Sequence, residues 1–162
     1  MPAYIKFPSI PGEVNDADHS KWVAVESVSL PIFRTITENA VGQARSGGTT
    51  SLGDVVVVKN WDSSTPLIAK ACADGEFMDE VEIHLCSKLK GKNVPNLEVK
   101  LSNVVISGYS WHGTADQNPT PTEEITLNYT KINWNYNKYD VNTGEKDTNV
   151  PAEYDSEQQT SG

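Results

Sequence analysis

Long apolar runs are missing from the sequence. No segment approaches the roughly 20 consecutive apolar residues that a membrane-spanning helix requires. Residues 1–7 carry neither the basic cluster nor the apolar stretch of a secretory signal peptide. We therefore expect a protein that starts in the cytoplasm and does not insert into a membrane. Export by a route that needs no signal peptide stays open.

Positive charge is also scarce. The chain has 22 acidic residues against 13 basic ones, which gives a formal net charge of −9. An excess of negative charge argues against non-specific binding to nucleic acids and against binding to an anionic membrane surface. A well-solvated surface is the simplest use of that charge.

Cysteine and metal ligands are few. Cys72 and Cys86 are the two cysteines, and their spacing offers none of the three or four ligands of a zinc site, so we expect two free thiols and no metal. Asp16, Asp18 and His19 form a small polar cluster. This cluster lacks the further oxygen ligands, central glycine and terminal glutamate of a calcium loop, and we predict that it is a solvated loop.

Catalytic signatures are weak or missing. Ser110 lies in a segment that resembles a nucleophile elbow, but the second glycine comes one position late and no helix follows. His112 then reads as a solvated loop histidine, and His84 has no second histidine at ligand spacing. The chain carries no P-loop, dinucleotide-binding glycine pattern or H-E-x-x-H sequence. We predict that the protein is not an enzyme and binds no cofactor, with a small hydrolase built on Ser110 and His112 as an alternative.

The sequence does contain a strand–helix unit. Residues 54–60 include four consecutive valines, a run too short for a globular helix and typical of a strand buried on both faces. Ser63 or Ser64 can cap a helix that starts near Pro66, and Gly75 lies where a C′ glycine ends one. The predicted apolar stripe of this helix consists of Leu67, Ile68, Ala71 and Cys72.

Two later segments change side-chain parity near their middle. Apolar residues occupy odd positions up to Leu101 and even positions from Val104; they are odd again up to Tyr129 and even from Ile132. Because a strand has a side-chain period of two, each flip means that the core face changes sides or that a residue is inserted. Two long strands that bend in this way suit two packed sheets. We predict a mainly β protein, a two-sheet β-barrel or sandwich with one short flanking α-helix.

The length of 162 residues suits one domain with a substantial core. We assign residues 1–140 to this domain. Residues 141–162 are polar and acidic, and we expect them to form a loosely ordered tail. Residues 88–95 are expected to be a basic turn.

Residues 31–53 are unusual among the connecting segments. They show no convincing period, yet a structureless loop of this length is usually functional or disordered. Apolar side chains in such a loop need cover. The apolar residues are Ile32, Phe33, Ile36 and Val41. We interpret the segment as an arm that docks on a neighbouring molecule, with folding back onto its own domain as the alternative.

Several motifs together resemble the haemolysin-coregulated protein (Hcp) family, the inner-tube protein of bacterial type VI secretion systems. The resemblance covers residues 3–139. Its most specific part is a lysine followed by D-x-S-T-P-L and A-C-x-x-G. The matching residues are Ile10-Pro11-Gly12-Glu13, Asp18-His19, Trp22 to Ser27, Val57-Val58-Lys59, Asp62 to Leu67, Ala71 to Gly75, Glu124 to Tyr129 and Ile132-Asn133-Trp134.

The resemblance implies a structural role. Family members are expected to form homohexameric rings that stack into a tube, and the long loop after the second strand contacts the adjacent ring. A contractile sheath, with baseplate and spike proteins as further partners, would expel the tube, and the lumen would carry effector proteins. Here the loop corresponds to residues 31–53. Many members continue the second strand with Trp-Gly, whereas this chain has Ser29-Leu30-Pro31, so its arm is expected to be stiffer.

Two other functions fit parts of the sequence. A phage-type tail-tube protein shares the expected architecture. A carbohydrate-binding β-sandwich would use an aromatic strip. That strip would consist of Trp111, Trp134, Tyr136 and Tyr139, although Trp134 and Tyr136 share the parity of a core residue. The mass of the purified protein separates the classes, since a ring supports either tube protein and a monomer supports the carbohydrate-binding protein or the hydrolase.

Overall fold

The structure is a computed structural model that describes residues 1–37, 46–115 and 120–161. As the sequence predicts, the protein is mainly β with one short helix. The elements are β1 (Ala3–Lys6), β2 (Val23–Val25), β3 (Ser27–Ser29), β4 (Ile32–Thr37), β5 (Ser46–Leu52), β6 (Val55–Asn60), α1 (Thr65–Asp74), β7 (Phe77–Leu89), β8 (Lys92–His112), β9 (Thr122–Asn128), β10 (Lys131–Tyr139), β11 (Lys146–Asp155) and β12 (Thr160–Ser161). Within the described ranges, α1 falls short of the length and apolar character needed to cross a bilayer.

Both layers of the fold are built on the long strand β8. Its first half pairs with β10, up to the partners Ser102 and Lys131, and its second half pairs with β9, from Val105 onward. Asn103 lies between the halves with a left-handed φ of 53°. β7 pairs with β8 only from Lys92 to Val105, so β8 is the strand that carries the sheet from one layer into the other. This is the parity change predicted at residues 102–103.

The second predicted flip is a break between two strands. β9 ends at Asn128 and β10 begins at Lys131, so the prediction of one continuous strand is wrong. The second predicted strand near the N-terminus also divides. At Glu26 the chain passes from β2, which pairs with β1, to β3, which pairs with β6. The two layers therefore form an open β-sandwich rather than a barrel closed by hydrogen bonds.

The core lies between the layers and is covered at one side by α1. Val55 and Val57 of β6 are fully buried, whereas Val56 and Val58 on the opposite face are only partly buried. The predicted strand is therefore confirmed, but the prediction that both of its faces are buried is wrong for the second face. On α1, Ile68 and Ala71 are buried and Cys72 packs partly against the same core. Leu67 is exposed, so the predicted stripe is too wide by one residue.

The ends of α1 have different chemistry. Gly75 adopts φ 62°, and the Glu76 N–H donates to the Ala71 carbonyl at 3.0 Å, as in a Schellman cap. At the other end, the Ser64 side chain makes no capping bond, contrary to the prediction. Its hydroxyl and its N–H both donate to the Asp62 carboxylate instead. Asp62 thus binds the N-cap residue and uses up its hydroxyl, so Ser64 does not cap the first turn.

The C-terminal segment is ordered as strands. β11 pairs with β10 over nearly its whole length, from Lys131–Asp155 to Tyr139–Lys146. The prediction of a loosely ordered tail is therefore wrong. Most side chains of β11 are exposed, so its sequence lacks apolar alternation. β11 is held by main-chain hydrogen bonds to the open edge of β10. Such bonds leave no pattern of side chains from which the strand could have been predicted.

The predicted turn at residues 88–95 is much shorter. β7 and β8 continue to Leu89 and Lys92. The chain reverses at Lys90 (φ 48°) and Gly91 (φ 82°), where both residues have positive φ. Such two-residue turns match the twist of the flanking strands.

Candidate functional site

The arm segment is a β-hairpin that stands apart from the sandwich. β4 and β5 pair with each other in a two-stranded sheet, and no hydrogen-bonded strand pairing in the described part of the chain joins them to the main sheet. The prediction of an arm without regular structure is wrong on this point. The segment lacked a period because neither face of an isolated hairpin is buried, and its residues were therefore not selected for alternation.

The root of the hairpin is fixed to the body. Leu30 and Leu52 pack partly against the core. The Gly53 N–H donates to the Pro31 carbonyl at 2.9 Å. A Cβ at Gly53 would lie 2.5 Å from the Pro31 ring, so only glycine allows this approach. The two chains of the arm thus leave the body side by side.

A bulge shapes the arm further out. The register between β4 and β5 shifts between Arg34 and Ile36. At this point Gly48 lies against Thr35, and a Cβ on Gly48 would meet the Thr35 carbonyl oxygen at 2.1 Å. Bulges bend a strand and redirect its side chains. The glycine therefore sets the direction in which the outer part of the arm points.

The predicted stacking residues are exposed on this arm. The exposed fractions are 46% for Ile32, 63% for Phe33 and 57% for Ile36. Val41, the fourth predicted residue, lies outside the described residues. Three large apolar side chains on a two-stranded arm form the kind of surface that binds another protein. Their role in stacking stays a prediction.

A buried polar network lies under α1, on the body of the protein. The Lys59 ammonium is fully buried, contacts the Glu123 carboxylate directly and lies 2.9 Å from Asp62 Oδ1. Thr65 Oγ1 donates to Glu123 at 3.1 Å, and the Tyr109 hydroxyl donates to its other oxygen. Burial raises the pKa of Tyr109, and this bond adds to the shift. The network ties β6, α1, β8 and β9 together.

The sequence motifs include Lys59, but this network was not predicted from them. The sequence nevertheless contains a signal for the network. Lys59 shares the parity of Val55 and Val57, and Glu123 shares that of Ile125 and Leu127. A lysine and a glutamate on the inward faces of two strands need each other, because a buried charge requires a partner.

The Asp16–His19 cluster is not a solvated loop. His19 is buried, its Nδ1 lies 3.0 Å from Asp16 Oδ1, and its Nε2 lies 3.0 Å from His84 Nδ1. Burial lowers the pKa of His84 to about 4. Cys86 is also buried here, and burial raises its pKa to about 11. Sequence reasoning missed the contact because it joins two histidines that are 65 positions apart.

Among the described residues, no group of three or more histidine, cysteine or acidic side chains is placed to hold a metal. His19 and His84 hydrogen-bond each other, His19 stacks on Tyr4, and His84 packs against Trp22. Both cysteines are free thiols, as the sequence indicates.

The alternative sites do not assemble. Ser110 and His112 lie near the end of β8, paired with β9, so Ser110 is not on a strand-to-helix turn. The aromatic strip is divided. Trp134 packs on the core from β10, whereas Trp111 contacts Trp61 at the far end of β8. Tyr136 is half exposed, so its assignment to the core is wrong.

The fold and the arm together define a β-sandwich protein whose distinctive surface is an apolar, protruding hairpin. The family model described as "Type VI secretion system effector, Hcp" matches residues 4–136. The chain therefore belongs to the Hcp family of type VI secretion tube proteins, as its motifs predicted.

Solved structures share the fold. A type six secretion system protein superposes with a TM-score of 0.91 at 23% identity, covering 99% of both chains. Hcp1 from Salmonella typhimurium gives 0.78 at 20% identity, covering 99% of this chain and 98% of its own. A type VI secretion system effector from Yersinia pestis gives 0.68 at 22% identity, covering 94% and 98%. Among curated proteins, none matches the chain in sequence.

Proposed function

We propose that the chain forms hexameric rings that stack into a tube, and that the arm makes the contact between rings. The observation that carries this proposal is the hairpin itself. Ile32, Phe33 and Ile36 lie exposed on strands that pair with no other element of the described chain. Exposed apolar groups on a rigid support are favourable when a partner buries them.

Ring and stack need two different contacts. Identical subunits that meet head to tail close into a ring by rotation, and a second head-to-tail contact that does not close gives a filament. The body would supply the first contact and the arm the second. The role is structural and needs no catalysis. Within this class, the family match supports a secretion tube over a phage-type tail tube.

The remaining partners follow from the same role. A contractile sheath would push the tube out of the cell, with baseplate and spike proteins at its end. The chain would accumulate in the cytoplasm and leave through the apparatus.

A polar concave face is the proposed lining of the lumen. Alternate residues of β7, β8, β10 and β11 enclose about 530 Å³ of open cleft. Its walls carry carboxylates, ammonium groups and amides, a mixture that suits loose contact with varied effector proteins. These residues are Glu80, Glu98, Lys100, Ser102, Lys131, Asn133, Asn135, Asn149, Pro151 and Glu153. A Ser102→Cys chain in stacked rings should react with a small maleimide and resist a large polyethylene-glycol maleimide; equal labelling by both would contradict the assignment.

Removal of the arm tests the stacking contact. Ile32 and Leu52 are opposite partners at its root, so an Asn-Gly turn in place of residues 33–51 should close the hairpin without strain. We expect this variant to keep the ring mass in light scattering and to lose the longer stacks seen by negative-stain microscopy. The Asn-Gly replacement shortens both strands of the hairpin together, whereas a deletion of residues 33–48 would leave one strand without its partner.

A second variant separates side chains from backbone. Phe33→Ser with Ile36→Ser keeps the hairpin but removes its two most exposed apolar groups. We expect loss of stacking here as well. The matched control is Thr49→Ser on the facing strand, which leaves the apolar surface intact. Long stacks from either arm variant would show that the arm is not the stacking contact.

A further inference from the structure

The arginines of this chain are confined to one segment. Arg34 and Arg45 are its only arginines, and both lie in residues 31–53. With Glu38 as the single acid there, the segment has a net charge of +1, so the rest of the chain carries −10. Arg34 is exposed on β4, and its nearest polar partner in the described chain is Thr50, at 3.4 Å. The arm is therefore apolar and basic, while the body is acidic.

The body carries an apolar cleft beside the start of α1. Trp61 and Trp111 meet edge to face with ring centroids 5.5 Å apart. Their exposed fractions are 41% and 58%, although large aromatic side chains are usually covered. The cleft encloses about 250 Å³. Its walls are Trp61, Thr65, Pro66, Ala69, Tyr109 and Trp111.

The floor of this cleft is rigid. Tyr109 and Thr65 are both held by Glu123, which is itself held by the buried Lys59. The backbone N–H of Trp61 donates to the Pro121 carbonyl at 3.1 Å. A preformed cleft loses little conformational entropy when it is filled.

An acidic cleft adjoins the apolar one across Trp61. It encloses about 230 Å³, and its walls include Glu13, Glu26 and Asp62. Glu13 accepts from the Ser63 N–H and Glu26 accepts from the Asn60 side chain. Neither glutamate forms a salt bridge within the described part of the chain. Each thus keeps its negative charge unmatched at the edge of an apolar surface.

We infer that the Trp61–Trp111 cleft and its acidic neighbour receive the arm of a second copy of this chain, with Ile36 between the tryptophans and Arg34, two residues away on the same strand, on Glu13 and Glu26. This inference rests on the proposed stacking function and names the surface that the arm contacts. Apolar residues flank an arginine on the arm, and an apolar cleft adjoins carboxylates on the body. Tryptophan and arginine are also the residues that most often dominate binding energy at interfaces, and arginine suits carboxylates through paired hydrogen bonds.

Cross-linking between chains tests where the arm docks. One chain carries Thr35→Cys on the arm and another carries Ala69→Cys in the cleft, and the two are mixed and treated with a short bis-maleimide. We expect a cross-linked dimer whose peptide map joins positions 35 and 69. In the control mixture, Val150→Cys on β11 replaces Ala69→Cys. The unaltered chain measures background from Cys72, which is half-buried.

Charge reversal tests the same contact at exposed positions that do not support the core. Arg34→Glu alone and Glu26→Arg alone should each weaken ring–ring association roughly tenfold in sedimentation velocity. The double reversal should recover most of the loss, since it restores opposite charges.

The outcomes separate the two claims. Suppose that rings stack but positions 35 and 69 cross-link no more than the position-150 control, or that the double reversal recovers nothing. Either result overturns the cleft as the contact and leaves the stacking function intact. A chain that stays monomeric throughout overturns the stacking function, and the cleft assignment with it.

Discussion

Lys59 is the residue on which the interior most depends. Lys59→Met removes the partner of the buried Glu123 and leaves its charge in the core. We expect a loss of about 3–5 kcal/mol in unfolding free energy, measured by chemical denaturation. Lys59→Met with Glu123→Leu should recover part of this loss, because it removes both buried charges but leaves Asp62 and Tyr109 without these partners.

Lys70 provides the control for that substitution. Its pair with Asp74 lies at the surface of α1, where water and salt screen the attraction. Lys70→Ala should leave the unfolding midpoint unchanged. Equal losses from Lys59→Met and Lys70→Ala would contradict a special role for the buried pair.

His84 makes stability depend on pH. Burial is the main reason that its pKa falls to about 4; the His19, Lys100 and Lys6 charges lower it further, and Glu98 opposes them. In the unfolded chain the pKa is about 6.5. Between these values the unfolded state binds a proton that the folded state does not, so stability falls as the pH drops from 6.5 to 4.

Through His84, the free energy of unfolding changes by about 1.4 kcal/mol per pH unit at most. His84→Gln should remove this slope while the decline from carboxylates at lower pH remains. Denaturation at several pH values between 5 and 7 measures it. Parallel curves for the two proteins would show that His84 does not titrate as described.

At the level of the elements, Gly48 controls the arm. Gly48→Ala places a methyl group 2.1 Å from the Thr35 carbonyl, so the bulge must open. The described strands of the arm do not pair with the main sheet, and the unfolding midpoint should therefore stay the same while stacking weakens. Sedimentation and denaturation of the same sample measure both. Thr49→Ala, one residue along, is the control, and a stacking loss of equal size there would contradict this role for Gly48.

Sequence patterns predicted the elements that bury an apolar face. The valine run of β6 and the parity change at Asn103 report the core directly, because side chains there must alternate with the pleat. The glycine that ends α1 was also predicted from the sequence, because the position of Gly75 requires a positive φ. These elements are specified locally.

The elements that the sequence did not predict depend on distant partners. β11 is held mainly by backbone bonds to β10, and the β4–β5 hairpin by bonds to itself, so neither shows a periodic apolar face. The same limit applies to the site. Exposed Ile32 and Phe33 were predicted from composition, whereas the cleft at Trp61 and Trp111 forms only when residues 50 positions apart meet.

At the scale of the whole molecule, the chain combines an acidic β-sandwich body with one exposed hairpin arm. The Lys59 network and the open cleft lie on the body, and the apolar and basic groups lie on the arm. In the proposed contact, a single chain would supply both halves of an interface that repeats without closing.

Sedimentation velocity of the purified full chain over a concentration series tests this account most directly. We predict a species of about six times the monomer mass and larger stacks that grow with concentration, with the stacks absent from the Phe33→Ser, Ile36→Ser variant. A single monomeric species at every concentration would contradict the account.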